Sequence, residues 1–331
     1  MRAGISLAVG LTLVTGLQSA ARNAPQVEAQ IVGSFGGFQW TVPTAINNKG
    51  DVVGSVSPTG TMAGHDAFLW TRKHGFQRLA QDAVATDINN RGDVTGYRFV
   101  CTTDPDGGGS CALRGFVWNA QTGFTELGTF VPMAINNSGD MAGECATATG
   151  VDACAMHNGV VTVWTCELDS CAQGARGINA RGDAAGWRSS PDVELAMFFP
   201  RDGEAVVLES PPGAMFGPLT AEDINDAGTI AGRAPTDISA AAATLWTSTG
   251  LVQEPSAASS VAWAVNARGW TAGVRFDGDD AFFWDGSESG LVLLAPDSTT
   301  SEATDINDRG EIVGSVTSGF QRLLVIWRVG S

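Results

Sequence analysis

A ten-residue stretch, Asp87 to Gly96, reads Asp-Ile-Asn-Asn-Arg-Gly-Asp-Val-Thr-Gly, and versions of it recur along the whole chain. The copies begin at Ile46, Ile88, Ile135, Ile178, Ile224, Val265 and Ile306, at spacings of 42, 47, 43, 46, 41 and 41 residues. Each has Ile or Val, then Asn, then a glycine three residues past the Asn and a second glycine four residues further on. The glycine pairs run from Gly50 and Gly54 through Gly92 and Gly96 to Gly310 and Gly314. A period of this size restricts the chain to an array in which each unit buries its apolar face against its neighbours.

Within one unit, Ala85 to Asn89 alternates and carries β-branched Ile88, Asn90-Arg91-Gly92 supplies a turn, and Asp93 to Phe99 reads as a returning strand. The Asn is placed to bond the turn backbone, and the first glycine to take a positive φ. The second glycine falls inside a strand, which it weakens. Its recurrence predicts close approach of another backbone, read as packing between adjacent units. An aromatic strand follows, such as Ala67-Phe68-Leu69-Trp70 or Ala281-Phe282-Phe283-Trp284, with Ala155-Met156-His157 in its place in the third copy. A fourth apolar segment closes the unit, as at Phe76 to Leu79, Phe124 to Leu127, Val160 to Trp164, Ala205 to Leu208 and Leu291 to Leu294.

Four short antiparallel strands in about 40 to 45 residues make a propeller blade. The expected fold is therefore all-β, a seven-bladed β-propeller of four-stranded antiparallel blades. The last copy reaches Ser331 without a fourth strand, while Gln30 to Trp40 precedes the first copy without a partner. Val42-Pro43-Thr44-Ala45-Ile46-Asn47 parallels Val131-Pro132-Met133-Ala134-Ile135-Asn136. The N-terminal segment is thus predicted to be the outer strand of the C-terminal blade, closing the ring.

Residues 1–21 open with Arg2 and an uncharged run from Ala3 to Leu17, and end in Ser19-Ala20-Ala21, the pattern of a signal peptide cleaved after Ala21. Residues 22–331 are expected to form one domain, secreted to the periplasm or outside the cell, without a transmembrane span and monomeric. The formal charge of −16 argues against nucleic acid as a partner.

The series Ala-x-Ile-Asn-x-x-Gly-x-x-x-Gly followed by Ala-Phe-Leu-Trp, behind a signal peptide, resembles the bacterial extracellular HAF-repeat family, over nearly the whole mature chain. The namesake His-Ala-Phe is not kept: Asp66 separates His65 from Ala67-Phe68, and Ala281-Phe282 follows Asp280. The resemblance implies export and a propeller-like repeat fold, and carries no catalytic residues with it.

The six cysteines form three close pairs: Cys101 with Cys111, Cys145 with Cys154, and Cys166 with Cys171. An even count in an exported chain argues for disulfides, and local pairing is the simplest connectivity. Zinc is the rival, but no pair has Cys-x-x-Cys spacing and only His157 lies near. No metal or cofactor is expected. Calcium is the one the sequence leaves open, at an acidic loop containing Asp104 and Asp106 and at a second with Asp277, Asp279 and Asp280, although a solvated turn is the plainer reading of both.

No Gly-x-Ser-x-Gly elbow is present, and the three histidines, His65, His74 and His157, are confined to the first and third repeats. A ligand normally meets an asymmetric surface, so the positions that vary between repeats mark a site better than the repeated motif does. Just before Ile-Asn these are Asp87, Arg176, Glu222, Asp223, Trp263 and Asp305, a set of acids, one base and one indole at a common channel mouth. Short acids at such positions also serve simply to bond strand backbone. The pattern points to a secreted binding or scaffolding module for a protein or carbohydrate partner at the cell surface or beyond. The alternative is a propeller hydrolase or lyase with acidic channel-mouth residues and calcium as its candidate cofactor.

Overall fold

The computed structural model describes residues 26–36, 38–58, 65–103, 109–148, 150–166, 170–210, 219–235, 241–247, 250–253, 259–286, 291–293 and 300–330. Residues 1–21, expected to be a leader, and the acidic loop with Asp104 and Asp106 lie outside them. The described chain is all-β, arranged as five four-stranded sheets and one eight-stranded sheet. In the second repeat the strands are Ala83–Ile88, Val94–Thr103, Gly109–Asn119 and Gly123–Gly128, each antiparallel to the one before. The eight-stranded sheet contains the strands of the first and last repeats, joined by one parallel bridge between Trp40 and Arg322.

The final repeat completes its four strands from the other end of the chain. Val27–Gly33 pairs antiparallel with Gln321–Val329, from Val27 opposite Val329 to Gly33 opposite Leu324. The expected outer strand was Gln30 to Trp40. The observed one starts three residues earlier and ends at Gly33, whose φ of +110° turns the chain away.

The repeat motif makes a tight turn. The side-chain oxygen of Asn89 accepts the backbone N–H of Arg91, Gly92 and Asp93 at 3.0 to 3.1 Å, and Gly92 holds φ +93°. The second glycine differs from expectation. A Cβ on Gly96 would lie 2.2 Å from the carbonyl oxygen of Val84, and one on Gly273 would lie 1.9 Å from that of Val261. The close approach is to the first strand of the same sheet, not to a neighbouring unit. Its cause is a β-bulge: in every repeat the pairing of the first two strands shifts by one residue beside this glycine, as between Ala85 and Asp87.

Apolar clusters fill the space between successive sheets. One joins Ala45, Val53, Ala85, Ile88 and Phe116 of the first two repeats, another Ala264, Phe283, Ile306 and Trp327 of the last two. A further one joins the last repeat to the first through Ile46, Phe68, Val313 and Ile326. All three expected disulfides are present: Cys101–Cys111, Cys145–Cys154 and Cys166–Cys171. Cys154 is fully buried opposite Gly143, where Phe68 faces Gly54 and Phe116 faces Gly96, so this bridge takes the place of an aromatic ring.

Candidate functional site

The bulge decides which side chains reach the centre. In each first strand the extra residue is the one three before the motif Asn: two threonines at Thr44 and Thr86, then Met133, Arg176, Glu222 and Trp263, then Thr304. A bulge re-aims a side chain out of the sheet alternation. All seven line one cavity of about 420 Å³, together with Asp87, Asp223, Asp305 and Tyr97. The six candidates Asp87, Arg176, Glu222, Asp223, Trp263 and Asp305 are thus brought to a single place. A second, smaller cavity of about 190 Å³ lies at the other end of the first strands, lined by the motif asparagines and the residues that follow them.

The three aspartates hold the frame. Oδ1 of Asp87 accepts the N–H of Ile88 and Oδ2 that of Ile135 in the next repeat, both at 2.7 Å. Asp223 accepts from Ile224 at 2.7 Å and from Val265 of the next repeat at 2.9 Å. Asp305 accepts from Ile306 and, at the far end of the chain, from Ile46. Burial pushes the carboxyls of Asp87 and Asp223 up to about 6, against the pull of these donors, and raises Asp305 well above the usual carboxylate range. Gly177 fits the same scheme, since a Cβ there would stand 2.8 Å from the Cα of Asp223.

The threonines are also engaged. Thr44 donates to the carbonyl of Ala85 and Thr86 to that of Pro132, each in the following repeat and each at 2.9 Å, and Thr304 donates to Val313 at 3.3 Å. Threonine at the bulge therefore has a structural task in repeats seven, one and two. Repeats three to six depart from it with Met133, Arg176, Glu222 and Trp263, four chemically different residues on one contiguous arc. Arg176 is exposed and Glu222 partly buried, and they form no ion pair with each other. Burial raises the Glu222 carboxyl, and Arg176 pulls it back. The indole N–H of Trp263 is buried without a hydrogen-bond partner.

A second tier was not anticipated from the sequence. The residue after the second glycine is Tyr97, Glu144, Trp187 and Arg233 in repeats two to five, against Ser55, Val274 and Ser315 elsewhere, and of these Tyr97 lines the cavity. Glu144 and Trp187 converge over Gly174, where a Cβ would meet Glu144 Oε1 at 2.7 Å and Trp187 Nε1 at 2.9 Å. The signal was available: this position varies as the bulge position does, and in nearly the same repeats.

The remaining candidates stand apart. Both oxygens of Asp277 are taken by Arg275, at 3.1 and 2.8 Å, and Asp279 occupies a turn at φ +51°. His157 lies 3.3 Å from Asp140, and no described histidine lines either cavity. No helix among the described residues is long and apolar enough to cross a membrane.

No protein-family model matches the chain, and neither does any curated protein. Among solved structures it is similar to virginiamycin B lyase from Staphylococcus aureus, at 10% identity and a TM-score of 0.61 over 92% of this chain and 100% of that one. A catalytically inactive variant of that lyase with Quinupristin gives a TM-score of 0.58 at 10% identity over the same shares. An acylaminoacyl peptidase gives 0.51 at 11% identity, over 84% of this chain and half of that one. At such identities the likeness is one of fold, to propeller-like proteins.

Proposed function

We propose that the chain is an exported seven-bladed β-propeller, closed by its N-terminal strand, that recognises a protein or glycan partner at the channel mouth. The seven repeats, the pairing of Val27–Gly33 with the last repeat and the bond from Asn307 to the carbonyl of Asn47 support the closed ring. The leader pattern and the three disulfides support export. One observation carries the function: an identical bulge in every first strand delivers seven bulge residues to one cavity, and four of them abandon the threonine that serves the frame. A cavity of about 420 Å³ falls in the usual small-ligand range of about 300 to 1,000 Å³.

The test is to probe glycan and peptide arrays with the mature protein and with Trp263→Ala. Binding by the wild type that is lost in a variant of unchanged melting temperature is the expected result. Absence of any signal, or a signal indifferent to Trp263, would count against recognition at this mouth.

The second reading is a hydrolase or lyase. It is favoured by Asp87 and Asp223, whose carboxyls titrate at about 6, within reach of acid–base work near neutrality. It is opposed by the occupation of both oxygens of each by backbone donors. Turnover of a bound ligand that is abolished by Asp223→Asn and by EDTA is the outcome that would favour it.

A further inference from the structure

We infer that the arc formed by Met133, Arg176, Glu222 and Trp263 takes a neutral carbohydrate, an inference that rests on recognition at the channel mouth and names its ligand class. The charges count against anions. Glu222, Asp87, Asp223, Asp305 and Glu302 all line the cavity, so an anion entering it meets carboxylates on several sides. Arg176 offers no free positive field to offset them, because Glu222 and Glu144 both lie close enough to feel its charge.

A neutral ligand with alternating donors and acceptors avoids that penalty and uses the polar groups of the arc. Arg176 presents only donors and Glu222, when ionised, only acceptors, from adjacent repeats and without an ion pair between them. A sugar hydroxyl donates and accepts at once, so neighbouring hydroxyls satisfy both residues. Trp263 stands next along the arc and offers an apolar ring, with Met133 at the other end and Tyr97 behind it. The buried indole N–H of Trp263 has no partner, so its own hydrogen bonding does not explain why a tryptophan stands where three other repeats use threonine. Threonine there bonds a neighbouring strand, as Thr44 and Thr86 do. The exchange gives up a structural bond for a flat apolar surface, which suits the C–H face of a pyranose.

Titration calorimetry of the mature protein with cellotetraose, xylotetraose, maltotetraose and N-acetylchitotetraose tests this, with spermidine and glycyl-phenylalanine as charged comparators. Saturable binding of at least one tetrasaccharide is expected, weakened about tenfold or more by Trp263→Ala and by Glu222→Gln. Trp263→Phe, which keeps a ring, should retain part of it. Val160→Thr on an outer strand should leave it unchanged. Glu222→Gln preserves shape and keeps the test valid if Trp263→Ala fails to fold. Binding of only spermidine or the dipeptide, with the same dependence on Trp263, would overturn the carbohydrate and leave the recognition site standing. Sugar binding indifferent to both variants would overturn both, and failure of every tetrasaccharide to bind would overturn the ligand class.

Discussion

The backbone N–H of Ile46 donates to Oδ2 of Asp305 at 2.7 Å, across 259 positions of sequence. The same clasp joins Asp87 to Ile135 and Asp223 to Val265. Because the folded state raises these three carboxyls above their ordinary value of 3.8, it holds protons that the unfolded chain has released. Their contribution to stability is complete below about 3.8 and, for Asp87 and Asp223, is lost as pH rises through about 6. Asp93, Asp183 and Glu311 act oppositely: burial opposes their ionisation, but hydrogen bonds and arginines outweigh it and lower them, so their contribution is lost in acid.

Melting temperature should therefore peak in mild acid and fall on both sides. The fall toward neutrality is worth on the order of 2–3 kcal/mol for each of the Asp87 and Asp223 clasps. Calorimetry from pH 3 to 8 checks this. Asp223→Asn should flatten the alkaline limb, and a flat profile in the wild type would refute the account.

At the smaller cavity a second set of bonds joins the repeats. The N–H of Asn48 donates to Asn90 Oδ1, Asn90 to Asn137, Ala180 to Asp226, Ala267 to Asp308 and Asp308 to Asn48, at 2.7 to 2.9 Å. The acceptor is always the residue after the motif Asn. Two junctions lack it because that residue is Ala180 or Ala267. Ala180→Asn should supply an acceptor to the N–H of Asn137 and stabilise by about 1 kcal/mol, a gain of about 2 °C in melting temperature. No gain would mean that the N–H of Asn137 is already well solvated.

The repeat made much of this fold legible. Period, turn residues and aromatic strands gave the four-stranded units, and leftover segments at the two ends gave the pairing of Val27–Gly33 with Gln321–Val329. The bulge was not legible, because an extra strand residue has no composition of its own: Thr44, Met133 and Trp263 share only their place. Its trace was the second glycine, whose crowding is against a carbonyl and not against a neighbouring unit. The candidate set was found through variation between repeats, but the split between frame and arc was not. That split depends on where a hydroxyl or carboxylate oxygen points, as in Thr86 toward Pro132.

The two motif glycines should respond differently to alanine. Gly92 has φ +93° and open space where a Cβ would stand, so Gly92→Ala costs only the left-handed backbone, about 1–2 kcal/mol. Gly96→Ala drives a methyl to 2.2 Å from Val84 O and 2.5 Å from the Phe116 ring. The loss there should exceed about 3 kcal/mol or prevent folding, since neither backbone nor packed ring can retreat freely. Urea unfolding of the two variants compares them, and equal losses would contradict the close approach.

The N-terminal strand should matter far more than the residues before it. Gln321–Val329 is covered on its outer edge by Val27–Gly33, and Leu324, Val325, Ile326 and Trp327 are all fully buried. A chain beginning at residue 22 keeps that pairing and should melt as the full chain does. One beginning at residue 34 leaves six residues of an apolar strand, Leu324 to Val329, without their antiparallel partners. Such an edge both lowers stability and invites pairing with another molecule. The shorter chain should melt several degrees lower and elute partly as oligomers in size-exclusion chromatography. If the two truncations melt together and remain monomeric, the outer strand contributes nothing to the last sheet, and the links between the last repeat and the first, such as Asp305 to Ile46 and Asp308 to Asn48, must hold the ends of the chain together without it.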